Sequence, residues 1–149
     1  MGFQTDLLKG LAAYLASAGI GATWKASGVY GKTDTAIVLR TVPETPDRVI
    51  TLSTYGVDDD PSLSDSVLGI QVRCRYAGAN PTGADDLADA IYSVLHGKAG
   101  LVVGAGAHAV TIVLCLRQSA ASLGQDANLR WMNTQNFYAT THRPSANRT

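Results

Sequence analysis

The sequence is short of charge, cysteine and histidine, and each shortage closes off a class of function. Charged residues make up 16% of the chain, and 12 basic side chains cancel 12 acidic ones. A free DNA-binding protein carries a basic excess, so a net charge of zero argues against that class. A surface this poor in charge suits a protein that covers part of itself with neighbours. The two cysteines, Cys74 and Cys115, define no disulfide framework. Both fall in apolar, strand-like runs and read as buried free thiols. The three histidines, His96, His108 and His142, have no metal-ligand spacing, and no Cys-x-x-Cys pair accompanies them. There is no Gly-x-Ser-x-Gly elbow, no phosphate-binding Gly-Lys-Ser/Thr loop and no evident pairing of nucleophile with base. No stretch approaches the roughly 20 apolar residues of a membrane span. The N-terminus lacks the basic-then-apolar pattern of a secretory signal. The expectation is a protein made in the cytoplasm, with no membrane contact, no cofactor, no metal and no catalytic residue.

What is present reads as one domain over residues 1–149, long enough to hold a core. Leu7, Leu8, Leu11, Ala12 and Leu15 recur at helical spacing, with Thr5 or Asp6 as cap and Gly19 as stop. Residues 19–35 are rich in Gly, Thr and Ser and read as a loop. Ala36–Arg40 and Arg48–Tyr55 read as strands joined through a proline-bearing connection into a hairpin. Gly56–Ser66 is polar and acidic and reads as a flexible loop. Val67–Tyr76 alternates cleanly, with Leu68, Ile70, Val72, Cys74 and Tyr76 on one face and Gln71, Arg73 and Arg75 on the other. A second helix follows Thr82, with Asp85 and Asp86 in its first turn, a stripe of Leu87, Ala88, Ile91 and Leu95, and Gly97 at its end. His108–Gln118 alternates little and reads as a strand covered on both faces. Ser119–Asn128 reads as a loop, Leu129–His142 as the last strand region and Ser145–Thr149 as a frayed tail. The expected class is α+β: a mostly antiparallel sheet of about five strands with two helices packed on one face.

Two patterns mimic ligand sites. Leu101–Val103 followed by Gly104-Ala105-Gly106-Ala107-His108-Ala109 spells a dinucleotide fingerprint. The residues after it, Val110 to Leu116, are β-branched and apolar, so the glycines read as a turn between elements. Asp58-Asp59-Asp60 lacks the alternating ligands and closing Glu of a calcium loop. With Asp65 it reads as a solvated acidic segment or a docking loop. Four arginines (117, 130, 143 and 148) gather in the last third, where Asp126 is the only acid after residue 90. These unlike ends suit complementary surfaces in this chain or in a copy of it. Arg73 and Arg75 suit an interface, since a planar guanidinium pairs with carboxylate or phosphate at two points at once.

The order of passages carries a family resemblance. A Leu-rich helix is followed by Gly19 and Gly21, then a strand, then Pro43-Glu44-Thr45-Pro46-Asp47-Arg48-Val49-Ile50. Gly69-Ile70-Gln71-Val72-Arg73-Cys74-Arg75 then leads into the helix from Gly83 to Leu95, and a closing strand pair follows. Over most of its length the chain resembles the tail-terminator and minor capsid, or head-tail joining, proteins of long-tailed bacteriophages. That resemblance implies a structural virion protein, not an enzyme. Its small α+β subunits form a hexameric ring that caps the tail tube, ends its polymerisation and joins tail to head. The implied partners are copies of itself, the tail tube protein and a head-completion or connector protein. DNA passes through the lumen without sequence-specific binding. Gln71, Arg73 and Arg75 become candidates for a lumen or subunit-interface face, and Asp58, Asp59, Asp60 and Asp65 for a docking loop. The competing readings are another connector of the phage neck, a small enzyme whose site is assembled in space, and a monomeric ligand-binding domain.

Overall fold

The computed structural model describes residues 2–148. The elements in chain order are α1 (Phe3–Ala16), β1 (Thr23–Trp24), β2 (Thr35–Leu39), β3 (Arg48–Asp59), β4 (Asp65–Tyr76), α2 (Gly83–Leu95), β5 (Lys98–Val103), β6 (Val110–Gln125) and β7 (Trp131–His142). The strands form one sheet in the order β1-β2-β3-β4-β7-β6-β5. The protein is α+β, but its sheet is not the mostly antiparallel one of about five strands that the sequence suggests. It has seven strands, is mixed and curls into a half-barrel. β1, β2 and β3 run parallel, and the remaining pairs are antiparallel.

The supposed hairpin between β2 and β3 is a parallel pair, in which Thr35 lies beside Arg48 and Leu39 beside Leu52. Residues 40–47 can reach about 26 Å when extended. That exceeds the roughly 17 Å of a five-residue strand, so the link carries the chain back to the start of β2 without a helix. Arg40 begins this return with a left-handed φ of 66°. β1 lies in a segment that reads as loop, and two residues are too few for any period to show. β5 pairs with β6 as a hairpin across the glycine-rich segment. The glycines therefore join strand to strand, whereas a dinucleotide fingerprint leads a strand directly into an α-helix. Gly104 there has φ +77°, and a Cβ on it would fall 2.7 Å from the His108 carbonyl oxygen.

β6 continues to Gln125 through the segment expected to be a loop, and it is not covered on both faces. Val110, Ile112 and Cys115 are buried, while Val113, Leu114 and Leu116 are exposed. Its register against β7 shifts three times, between Ile112 and Leu114, Arg117 and Ser119, and Ser122 and Gly124. Each bulge moves the next side chain to the other face, which removes the alternation that marks a half-covered strand. β3 and β4 also run further than expected, to Asp59 and from Asp65, so the acidic segment is the end of a long hairpin.

Both helices lie on one face. α1 buries Leu7, Leu8, Leu11, Ala12 and Leu15, and it touches β1, β2 and β3 as well as β5 and β6. One short helix reaches both ends of the strand order because the sheet curls around it. Gly10 sits against β5, where a Cβ would lie 2.7 Å from Val103 Cγ2. Neither Thr5 nor Asp6 caps α1; Gly2 precedes it, and the helix ends before Ser17 rather than at Gly19. α2 rests on β4, β6 and β7 and buries Leu87, Ala88, Ile91 and Leu95. Thr82 precedes α2 but donates to Asn80 Oδ1 at 3.3 Å instead of capping it. Between helices and sheet lie Ile37, Ile50, Leu52, Ile70, Val72, Cys74, Ile112 and Phe137, each at most 1% exposed. Full burial of side chains this size stabilises by about 1.5–3 kcal/mol apiece.

Candidate functional site

Among the described residues no helix or strand lies over the sheet face away from the helices, although the 44–47 link covers its end at Arg75, and three strands set its chemistry. β4 places Gln71 between Ser53 and Asn136, Arg73 between Thr51 and Thr134, and Arg75 between Val49 and Met132. Gln71 and Arg73 are half-buried, and neither side chain makes a hydrogen bond or ion pair among the described residues. Arg75 differs. It is 3% exposed, and its guanidinium donates to the carbonyls of Asp47 (3.0 Å), Pro46 (2.6 Å) and Glu44 (3.4 Å). Burial and the neighbouring Arg130 push its pKa down, although a guanidinium stays charged. Arg130 reinforces the same link. It donates to Asp126 Oδ2 at 2.9 Å and to the Glu44 carbonyl, and it pairs with Asp47 at 3.4 Å. Arg75 thus fastens residues 44–47 to the sheet and is buried beneath them, unlike Arg73.

Strand alternation did not reveal the aromatic and apolar part of this face. Tyr55, Tyr138, Leu114 and Leu116 are 37–40% exposed on it. The Tyr55 ring lies across Gly69, where a Cβ would meet its Cζ at 2.1 Å, and its hydroxyl donates to Asn136 Oδ1 at 3.3 Å. Burial, then the nearby Tyr138, raises the Tyr55 pKa. A glycine facing a tyrosine across two strands was the available sequence signal, but it required the register to be known first.

The acidic residues lie at the far end of the β3–β4 hairpin, and most are engaged within the subunit. Asp59 accepts from Ser66 Oγ at 2.6 Å. Asp60 accepts from the N–H groups of Leu63 (2.9 Å) and Ser62 (2.8 Å) and from Ser62 Oγ, and these bonds lower its pKa. Asp65 lies 3.6 Å from His142 Nδ1. Arg148 closes the turn by donating to the carbonyls of Asp60, Leu63 and Asp65 at 2.9–3.3 Å. Asp58 is exposed and has no partner among the described residues.

The histidines were the test of an enzyme. His96 stacks on Tyr92 and accepts the Arg117 N–H at 3.0 Å. His108 Nδ1 lies 3.1 Å from Asp6. Ser64 Oγ (3.1 Å) and Asp65 (3.6 Å) both approach His142 Nδ1. A triad needs its serine and carboxylate on opposite ring nitrogens, so this grouping is not one. Neither of the two grooves beside α2 is lined by a histidine. Among the described residues no three His, Cys, Asp or Glu side chains converge as a metal site, and no helix is long and apolar enough to cross a membrane.

A family model described as bacteriophage tail terminator protein matches residues 14–143. No curated protein matches the chain in sequence. Among solved structures, a chain from the virion of the native gene transfer agent particle is similar, with a TM-score of 0.51 and 21% identity. The match covers 70% of this chain and 77% of that one. At that identity the likeness speaks for the fold alone.

Proposed function

We infer that this chain, which belongs to the bacteriophage tail terminator family and is a structural protein of the virion, forms a hexameric ring on the end of the tail tube. The ring stops tube polymerisation and presents the surface to which the head-completion protein docks. It acts by assembly and not by catalysis. The observation that carries this reading is the uncovered face of the sheet. Tyr55, Tyr138, Leu114 and Leu116 are exposed together there, and a contiguous exposed apolar surface marks a face that a partner covers. Gln71 and Arg73 lie in the same face with unpaired polar groups, as a lumen or subunit interface requires. Arg75, at the end of the same face, anchors the 44–47 link there. At the hairpin end, Asp58 offers a free carboxylate on a turn already braced by Arg148, which suits docking. A net charge of zero fits a ring through which DNA slides without being held.

Negative-stain microscopy of the purified protein, alone and with tail tube subunits, tests the reading. Rings with a central hole, or tubes of limited length with a capped end, are expected. Single particles beside tubes that grow unchecked would rule it out. Arg73→Glu should weaken ring formation or tail joining; unchanged assembly removes Arg73 from the interface.

A further inference from the structure

β5 pairs with β6 only from Val110 to Cys115, yet β6 continues to Gln125. Past Cys115 one margin of β6 is paired with β7. Beside α2, a groove of about 230 Å³ lies over this stretch of β6 and the β7 residues next to it. On the margin away from β7, His96 accepts the Arg117 N–H, and among the described residues no strand pairs with the remainder. An unpaired strand margin is a template for an incoming extended segment.

The groove's polar groups do not balance. Asp85 and Asp89 line it from α2, Arg117 and Ser122 from β6, Asn133 and Gln135 from β7. Gln135 is satisfied, since its Nε2 donates to the Ala88 carbonyl at 3.0 Å and its Oε1 accepts from Arg117 at 3.4 Å. Arg117 also lies over the Tyr92 ring, 4.2 Å from its centre. Asn133 donates through Nδ2 to Asp85 at 3.2 Å, which fixes its amide. Asn133 is 6% exposed, and its Oδ1 has no donor. A buried acceptor left unpaired is costly, and native structures hold few. The Asp89 carboxylate has no partner among the described residues. Two carboxylates against one guanidinium leave the groove negative. The exposed Asp89 carboxylate is the one left without a cationic partner among the described residues.

At the other end of the strand order, residues 25–34 join β1 to β2 as an exposed loop, with Val29 86% exposed. Lys25 is engaged locally, donating to the Val29 carbonyl at 2.9 Å and lying over the Tyr30 ring. Lys32 is exposed and makes no hydrogen bond or ion pair among the described residues. We propose that the groove between α2 and β6 receives the 25–34 loop of a second copy of this chain, with Lys32 held by Asp89. The assignment rests on the ring reading above, to which it adds the contact between subunits. Two unlike surfaces on one subunit give a head-to-tail contact, the kind that closes into rings.

Charge reversal at two exposed positions tests the contact. Lys32→Glu and Asp89→Lys are made singly, and melting temperatures confirm that each variant folds. Assembly is read by sedimentation velocity and by microscopy with tube subunits. Each variant alone should need at least about tenfold more protein than wild type for half-assembly, because like charges then face each other. An equimolar mixture should recover wild-type assembly, since every contact between unlike variants pairs opposite charges. Wild-type assembly by both single variants, or a mixture no better than its components, overturns the groove contact while wild-type rings keep the ring reading intact. Wild-type protein that stays single even beside tubes overturns both.

Discussion

Arg73 and Arg75 stand two positions apart on one strand face and have opposite fates. Arg75 is spent on three backbone carbonyls of the 44–47 link, whereas Arg73 has no partner among the described residues. Arg75→Met should lower the unfolding free energy by about 2–4 kcal/mol, because buried carbonyls lose charged donors. Arg73→Met should change it by less than about 0.5 kcal/mol. Urea denaturation of the two variants checks the contrast. Asp126 gives a pH signature. Burial pushes its pKa up, but hydrogen bonds from Arg130 and Asn128 outweigh this and hold it below the usual carboxylate value. A depressed folded pKa means stability that is present above the unfolded value of about 3.9 and lost as pH falls through the folded one. In Asp126→Asn the melting temperature should therefore fall at neutral pH and decline less steeply below about pH 4, as thermal scans across acid pH would record. Burial raises the Cys74 thiol to about 12 and the Cys115 thiol to about 11. Both should resist alkylation at pH 8 until the protein unfolds.

Among the elements, α1 and the β3–β4 hairpin are held by single residues whose partners lie far away in sequence. Gly10 lets α1 approach β5, and a Cβ would also come within 3.0 Å of the Gly104 backbone nitrogen. Gly10→Ala favours an isolated helix by about 1 kcal/mol. It should nonetheless destabilise the protein, because Val103 and the backbone behind it must move. A lower melting temperature, with faster amide exchange in β5, is the expected result. Arg148 holds three carbonyls around the 60–64 turn. Arg148→Ala should speed amide exchange at Ser62 and Leu63 and leave the middle of β3 and β4 protected.

For the whole molecule, the proposed assembly depends on one covered and one uncovered sheet face. Leu116 is 37% exposed on the uncovered side, so Leu116→Lys should cost less than about 0.5 kcal/mol in folding. The same change should hinder capping, seen as longer tubes in a fixed-time polymerisation. Tubes of wild-type length would mean that assembly does not cover this face.

The sequence by itself determined the two helical stripes, the alternation of Val67–Tyr76 and the family, because each is written in local spacing or in the order of passages. Leu7 to Leu15 and Leu87 to Leu95 can form only one apolar face each. Only the tertiary structure decided strand direction and strand number. A parallel return through residues 40–47 and a hairpin turn are both compatible with the same prolines, and the bulges of β6 hide its period. The division between Arg73 and Arg75 was equally hidden. Alternation assigns a side chain to a face, but whether that face is open or roofed at a given point depends on a link and an Arg130 brought in from elsewhere in the chain.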